Sequence, residues 1–443
     1  MGALALAGLL VLNGCGSEAN NKKATEYING TATPVNYNDP STVDQPTGVH
    51  PYASSANKIP KEDLAAKSGS ATEQTPAQIA TSDNNDTYSD NTSGLITAGT
   101  LDSWMNNWSG NKPSGISGDL VILEVMDGGS YDSSTGDWKS GGIFFSDANS
   151  GVRTYVVGNG EVSETRNNGV MDTPAMVLSE SSMNDLMTKY DVDPANDMVV
   201  VAMGKGGGFA NMVMGRIWYA LRYWGAPADH LAILNGGAQY HADQGTLTNT
   251  TTDPTSNLSG HYKADGSNNL PVPPKVALSS ITAAADLPEA NMQLMISYQG
   301  MLKAAKDQLS SNFIWDVRRA DEFYGWKNEG RGYAFEGHIR GAHWLPYSDL
   351  LVPDEGWRYL DKAHLKSAMS DLGYKSGQTV ITHCVTTYRA MVSGIAAGVV
   401  LGYPTRLYDG AWMQWAKMAY HQNKQGTYNL PSDSPWRSDI AKA

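Results

Sequence analysis

The chain has 443 residues, with 32 basic and 45 acidic side chains and a formal net charge of −13 at pH 7. This acidic balance argues against a nucleic acid as partner, because a phosphate-binding surface needs a basic patch. Its 2 cysteines exclude a disulfide scaffold. The length predicts two or three domains, since compact units usually run to about 100–200 residues.

An apolar stretch lies near the start of the chain, over residues 3–12, and a Leu-Asn-Gly-Cys sequence ending at Cys15 follows it. The stretch is too short to span a bilayer and is typical of a signal peptide. Its ending resembles a bacterial lipobox, in which the cysteine is lipidated and becomes the mature N-terminus. We therefore expect a lipoprotein signal peptide over residues 1–15 and membrane contact through a lipid on Cys15. The following Gly-Ser pair favours the outer membrane of the cell envelope. An ordinary signal peptide is the alternative.

Residues 16–93 are rich in Asn, Thr, Ser, Asp and Pro and poor in large apolar side chains. Such a segment cannot bury enough apolar surface to offset the entropy of ordering, so we expect a flexible polar tether. A second polar stretch predicts a linker over residues 242–290. A short C-terminal tail is expected over residues 431–443.

The two remaining parts, residues 94–241 and 291–430, look like repeats of one another. In each, two apolar strand patterns are followed by a helix pattern and a further apolar run. These lie at 120–125, 198–203, 211–225 and 231–237 in the first part, and at 312–318, 378–384, 390–403 and 405–412 in the second. Apolar strands that alternate with amphipathic helices predict mainly parallel sheets with helices on both faces. We therefore expect two doubly wound α/β domains.

Four motifs follow one another in the second part. They are Asp-Val-Arg-Arg-Ala-Asp-Glu-Phe at 316–323, Gly-His-Ile-Arg-Gly-Ala-His-Trp-Leu-Pro-Tyr at 337–347, the six-residue loop 384–389, and Leu-Tyr-Asp-Gly-Ala-Trp-Met-Gln-Trp at 407–415. Together they resemble the catalytic domain of two-domain rhodaneses, or thiosulfate sulfurtransferases. Residues 216–237 resemble the non-catalytic first domain of these enzymes. The resemblance implies two tandem rhodanese-like domains, of which only the second holds an active cysteine.

Cys384 is the predicted nucleophile. It ends an apolar run and precedes a hydroxyl-rich loop and a helix, so its thiol should lie at a strand-to-helix turn. Backbone N–H groups and a helix N-terminus stabilise a thiolate or a persulfide there. We predict that Cys384 takes sulfane sulfur from small sulfur-containing anions such as thiosulfate and passes it to a thiol or cyanide. An inert buried cysteine is the alternative. No metal and no organic cofactor are expected.

The predicted substrate-binding loop consists of Val385, Thr386, Thr387, Tyr388 and Arg389. Related phosphatases and arsenate reductases have a loop longer by one residue, so phosphoryl transfer is the weaker alternative. Val385 stands where thiosulfate-specific enzymes usually have a cation, which leaves the donor open. Arg389 either binds substrate or ties the loop to a carboxylate.

Several residues are expected around this loop. The resemblance implies that Asp316 and Arg318 lie near it and brace it, with direct contact to substrate as the alternative. Trp412 is expected to be a pocket wall, although core packing also explains a tryptophan there. His383 is expected in the core, because adjacent strand residues point to opposite faces. The insertion at 324–335, which carries Lys327 and Arg331, either covers the pocket or is a surface loop.

The loop at 203–211 in the first part occupies the position of the active loop without a cysteine. We expect it to be a relic that forms an interface with the second domain. A different class of function also fits the chain. It would then be an accessory carrier or binding lipoprotein of an outer-membrane complex, holding persulfide or selenium or tellurium oxyanions with little turnover. A purely structural role is the third alternative.

Overall fold

The computed structural model describes residues 94–125, 130–132, 137–139, 143–146, 149–167, 171–252, 294–307, 311–325, 336–418 and 436–437. The signal peptide, Cys15, the tether, most of the linker and tail, and the insertion with Lys327 and Arg331 therefore lie outside the described residues. Within the described part, no helix has both the length and the apolar character needed to cross a bilayer.

The first unit, residues 94–252, contains eleven described strands and five described α-helices. In chain order they are β1 Gly94–Ile96, α1 Ala98–Asn106, α2 Trp108–Asn111, β2 Leu120–Val125, β3 Ser130–Asp132, β4 Asp137–Lys139, β5 Phe144–Phe145, β6 Val152–Val157, β7 Glu164–Asn167, β8 Asp172–Met176, α3 Glu180–Lys189, β9 Met198–Met203, α4 Gly208–Tyr223, β10 Leu231–Leu234, α5 Ala238–Asp243 and β11 Thr250–Thr251. A 3₁₀ turn, Ala228–His230, precedes β10.

The second unit, residues 294–418 and 436–437, repeats this alternation. Its elements are α6 Tyr298–Asp307, β12 Asn312–Asp316, α7 Ala320–Phe323, β13 His338–Ile339, β14 Ala342–Trp344, β15 Leu351–Val352, β16 Arg358–Tyr359, α8 Lys362–Asp371, β17 Thr379–His383, α9 Tyr388–Ile395, β18 Thr405–Leu407, α10 Ala411–Lys417 and β19 Trp436–Arg437. A π-helical turn, Ala396–Val400, continues α9, and 3₁₀ turns flank β15 at Tyr347–Leu350 and Pro353–Glu355.

The two main sheets have the same topology. The first has the order β1-β10-β9-β2-β6, with every pair parallel. The second has the order β18-β17-β12-β14, also parallel, and a parallel bridge from Met295 to Leu407 adds the position that β1 holds in the first. All six residues of β2 and of β9 are buried, as expected for central strands with helices on both faces. The predicted α/β class with parallel sheets is confirmed, while the predicted domain bounds stay a prediction.

The helix predicted at 390–403 was wrong in two details. The helix begins earlier, at Tyr388, and its last turn is π-helical over Ala396–Val400. The early start brings α9 directly to the loop that follows Cys384.

The two units pack through equivalent elements. Helix α4 of the first unit lies against α9 of the second so closely that a Cβ on Gly215 would be 2.6 Å from Met391 Cβ. One apolar core therefore extends from Leu123 and Val201 of the first sheet to Trp315 and Val380 of the second. The loop before α4 meets the second unit as well, since a Cβ on Gly206 would be 2.8 Å from Gly356 O. In the first turn of α4, Asn211 Nδ2 donates to Trp357 O at 2.8 Å. The predicted relic loop thus contacts the second unit.

Candidate active site around Cys384

Cys384 lies at the carboxyl end of β17, between β12 and β18. Its side chain is buried, with 1% of the residue exposed. Two backbone hydrogen bonds from the start of α10 hold the loop, because Trp412 N donates to Cys384 O at 2.8 Å and Met413 N donates to Val385 O at 3.0 Å. The end of the strand and the start of the loop are therefore fixed by a neighbouring helix of the same unit.

The backbone N–H groups of the loop from Val385 to Arg389 have no acceptor in the part of the chain that the structure describes. Within the described residues, none of these five groups donates a hydrogen bond, and Met391 N, one turn into α9, is the first that does, to Thr387 O at 3.1 Å. Such free N–H groups at a helix start stabilise an anion. A thiolate or persulfide at Cys384 would therefore find donors there.

Thr387 makes the turn from the loop into α9. Its φ is +67°, in the left-handed region that a β-branched residue seldom adopts. Its Oγ1 donates to Asp409 O at 2.9 Å, and the residue is fully buried. Since this hydroxyl is engaged, Thr387 shapes the loop, whereas Thr386 beside it is partly exposed.

Tyr388 points to the first unit. Its hydroxyl lies 2.8 Å from Ser163 Oγ, and its ring is stacked on Phe209 with a centroid distance of 6.2 Å. The guanidinium of Arg216 lies 5.7 Å from the same ring. The fifth residue of the predicted loop therefore joins the two units.

Arg389 is paired with a buried carboxylate. Its Nη1 and Nη2 donate to Glu322 Oε2 and Oε1 at 2.7 and 2.9 Å. Burial alone would raise the pKa of Glu322, but Arg389 holds it well below the usual value. Burial would likewise lower the pKa of Arg389, which Glu322 raises well above its usual value. The geometry favours the interpretation in which Arg389 ties the loop to a carboxylate.

Asp316 and Arg318 form a second buried pair beside the loop. Arg318 donates from its backbone N, Nε and Nη2 to Asp316, at 2.7–3.1 Å, and from Nη2 to Gly337 O. Its guanidinium lies 4.1 Å from the ring of Trp412, which is fully buried. Asp316 and Arg318 are thus placed to brace the site, with Trp412 packed over the arginine.

His383 is buried beside this pair. Its Nδ1 is 3.4 Å from Cys384 O, and its Nε2 is 3.6 Å from Asp316 Oδ2. Burial lowers the pKa of His383 to about 4, against the opposing effect of Asp316. The imidazole is therefore neutral at pH 7 and adds no positive charge to the site. Among the described residues, no cluster of His, Cys, Asp and Glu suits a metal ion.

The sequence interpretation did not identify Glu322, Asp409, Arg216 and Ser163. The sequence contains a signal for two of these residues, Glu322 and Arg216. Glu322 follows Arg319 by three residues, the spacing at which a side chain accepts the N–H at a helix start, and Arg319 N does donate to Glu322 Oε2 at 2.8 Å. Arg216 is a charged residue within a helix that is otherwise largely apolar around it, and a buried charge needs a partner.

A family model described as rhodanese-like domain matches residues 299–418, which include Cys384, its loop and the two ion pairs formed by Arg318 and Arg389. The second unit is a rhodanese-like domain. The predicted family resemblance is therefore confirmed for this part of the chain. The domain contains the strand end, the loop, both buried ion pairs and Trp412 described above.

Curated relatives match the same region in part. A thiosulfate sulfurtransferase of Pseudomonas aeruginosa is 32% identical over 103 residues, which are 23% of this chain and 36% of the relative. The thiosulfate sulfurtransferase TUM1 of Saccharomyces cerevisiae is 31% identical over 132 residues, 27% of this chain and 42% of the relative. The chain thus spans less than half the length of either relative.

Solved structures share the fold over both units. A variant of EanB in complex with ergothioneine has a TM-score of 0.52 at 14% identity, over 79% of this chain and 71% of that one. Another EanB structure, with a cysteine persulfide and ergothioneine, has a TM-score of 0.51 at 14% identity, over 75% and 71%. At this identity the likeness extends to the fold alone.

Proposed function

We propose that the protein is a sulfurtransferase in which Cys384 carries the sulfur as a persulfide. The observation that carries the proposal is the position of Cys384 at the end of β17 in a rhodanese-like domain, before a loop whose N–H groups have no described acceptor. The curated relatives of this region are sulfurtransferases. EanB, which has a similar fold, has been captured with a cysteine persulfide, so the fold is compatible with such an intermediate.

The reaction proceeds in two displacements. The Cys384 thiolate attacks the outer sulfur of a donor such as thiosulfate, a Cys–S bond forms, and sulfite leaves with the electron pair of the broken S–S bond. A thiophile, cyanide or a thiolate, then attacks the outer sulfur of the persulfide and releases the Cys384 thiolate. Oxidation and reduction balance within each step, so no external oxidant is needed. The loop N–H groups stabilise the anionic cysteine before and after transfer.

The charge around the loop bears on the donor. Arg318 and Arg389, which are buried near it, are each paired with a carboxylate, that of Asp316 and that of Glu322 respectively. A donor anion would then be bound chiefly by backbone N–H groups and by the partly exposed Thr386. We therefore propose small sulfane-sulfur anions or persulfides as donors, with cyanide or a thiol as acceptor.

Sulfur transfer to cyanide by the purified chain tests the proposal, together with a Cys384→Ser variant. We expect turnover in the wild type, none in the variant, and a mass increase of one sulfur atom on the peptide that contains Cys384. Equal transfer by both proteins, or failure of Cys384 to gain sulfur from thiosulfate, polysulfide and glutathione persulfide, contradicts the proposal.

We propose further that the chain is anchored in the cell envelope, at the outer membrane, through a lipid on Cys15. The support is the apolar stretch followed by the lipobox-like sequence. Metabolic labelling with a radioactive fatty acid tests it. Label is expected on the wild type and absent from a Cys15→Ser variant, and fractionation should place the labelled protein in the outer membrane.

A carrier lipoprotein is the second candidate, favoured by the 1% exposure of Cys384, which would protect a bound persulfide. Single-turnover and steady-state kinetics separate the two. A carrier would load one sulfur atom per Cys384 from thiosulfate, with sulfite as the leaving group, or bind one selenite anion without reducing it. It would release this cargo only on contact with a partner of the outer-membrane complex.

A further inference from the structure

We propose that the first unit positions the Cys384 loop, through Arg216 and Ser163, and so takes part in sulfur transfer without contributing a nucleophile. This inference rests on the proposed function of the loop. Arg216 and Ser163 are positioning residues, because neither has a described contact with Cys384 and each acts through a residue that holds the loop.

Arg216 acts through Asp409. Its Nη1 donates to Asp409 Oδ1 at 2.7 Å, both side chains are fully buried, and its Nη2 donates to Ala175 O at 2.6 Å. The second oxygen of Asp409 accepts the backbone N–H of Val177 at 2.7 Å. Both carboxylate oxygens of Asp409 are therefore held by the first unit.

Asp409 in turn belongs to the segment that fixes the loop. Its carbonyl oxygen accepts the hydroxyl of Thr387. The N–H of Trp412, three residues on, holds the Cys384 carbonyl. Displacement of Asp409 would therefore move Thr387 and the Trp412 N–H, and with them the loop that begins at Cys384. Ser163 adds a second tie through the hydroxyl of Tyr388 at 2.8 Å.

The equivalent position in the first unit shows what the Arg216–Asp409 ion pair adds. Asn235 follows β10 in a Leu-Asn-Gly sequence, as Asp409 follows β18 in Tyr-Asp-Gly. Its Oδ1 accepts the backbone N–H of Tyr359 from the other unit at 2.9 Å, just as Asp409 accepts that of Val177. Both ends of the interface thus share this backbone hydrogen bond. At the end near Cys384 the acceptor is the carboxylate of Asp409, which is paired with the buried Arg216. At the other end the acceptor is the side-chain amide of Asn235. An interface alone does not require the ion pair, so we assign it to the loop.

The test uses the full chain and a double variant, Arg216→Met with Asp409→Asn. Removal of both charges leaves no unpaired buried ion, and the asparagine can still accept from Val177. Asn235→Ala is the matched control, since it removes the equivalent hydrogen bond at the other end. Circular dichroism confirms folding. Peptide mass spectrometry follows the rate of Cys384 alkylation by iodoacetamide at pH 7, and steady-state kinetics give kcat and KM for sulfur transfer.

In the double variant we expect the rate of persulfide formation to fall roughly 10-fold to 100-fold, with a smaller change in KM, because a displaced nucleophile loses its alignment. The rate of Cys384 alkylation should fall by a similar factor, because the loop that carries the cysteine is displaced. Asn235→Ala should leave both readouts at wild-type values. Unchanged alkylation and transfer in the double variant, or equal losses in the control, overturn the proposal.

If the double variant does not fold, Ser163→Ala decides, since it removes only the tie to Tyr388. We expect its rate of Cys384 alkylation to fall as well, and a rate identical to that of the wild type overturns the proposal. Absence of sulfur transfer in the wild type would contradict the proposed function instead. The alkylation comparison would still report whether the first unit positions Cys384.

Discussion

Arg389 and Glu322 form a buried ion pair with two hydrogen bonds, of 2.7 and 2.9 Å, directly beneath the loop that Cys384 begins. The pair joins the first turn of α9 to α7, the short helix that follows β12. Both side chains are almost completely buried. The arginine that closes the loop is thereby committed to holding it in place.

Glu322→Gln should lower the free energy of unfolding by about 3–5 kcal/mol, because it leaves the Arg389 charge buried without a partner. The pKa of Glu322 is lowered in the fold, so the stabilisation by the pair is fully present above the usual glutamate pKa. It decreases as the pH falls from that value towards the lowered pKa. Urea denaturation at pH 7 and pH 3 measures both effects.

The half-buried Asp321 is the matched control, since it pairs with Arg319 nearer the surface. Asp321→Asn should change the free energy of unfolding by less than about 1 kcal/mol. If the two variants are equally stable at pH 7, the buried pair does not have the role described.

His383 should make the free energy of unfolding depend on pH at higher pH values than Glu322 does. Its pKa is about 4 in the fold against 6.5 in the unfolded chain, so the unfolded chain binds the proton more readily. Stability is then fully present above about pH 6.5 and falls as the pH drops towards 4, by about 3 kcal/mol in all. His383→Asn should flatten this part of the curve. Chemical denaturation at half-unit pH steps from 4 to 7.5 measures it, and an unchanged slope in the variant contradicts the assignment.

The central strands could be predicted to the residue. Residues 120–125 and 198–203 form uninterrupted apolar runs, and the structure has strands over the same residues because helices cover both faces. Strand β1 and the bridge at Met295 are too short to give a pattern, and the π-helical end of α9 has no sequence signal that distinguishes it from a helix.

The site could be predicted only where its members are close in sequence. The loop after Cys384 and the Asp316–Arg318 pair lie within single motifs. Arg389 and its partner Glu322 are 67 residues apart, and Arg216 and Asp409 are 193 apart. The first pair depends on how α7 and α9 pack within the second unit, and the second pair depends on the packing of the two units. No local pattern of residues contains that information.

Thr387→Val should lower the free energy of unfolding by about 1–2 kcal/mol, since it removes the hydrogen bond to Asp409 O and keeps the side-chain volume. Thr387→Ser keeps the hydroxyl and relieves the β-branched side chain at a φ of +67°. It should therefore be within about 0.5 kcal/mol of wild type, the range of substitutions that break no such feature. Urea denaturation of the three proteins tests this. A serine variant as unstable as the valine variant would show that the hydroxyl is not what stabilises the turn.

Gly215→Ala should separate α4 from α9. The new Cβ would be 2.6 Å from Met391 Cβ and 3.0 Å from Ile395 Cδ1, so the helices must move apart, at a cost of about 1–3 kcal/mol.

Gly99→Ala is the control, because Gly99 is exposed in α1 and its Cβ would approach only Thr97 Oγ1, at 4.0 Å. Alanine favours the helix in both variants by up to about 1 kcal/mol, so their difference isolates the contact between the units. Thermal unfolding should show Gly99→Ala above wild type and Gly215→Ala below it. Because α9 begins in the active loop, Cys384 alkylation should slow in Gly215→Ala alone, and equal stability of the two variants would contradict the close packing of α4 on α9.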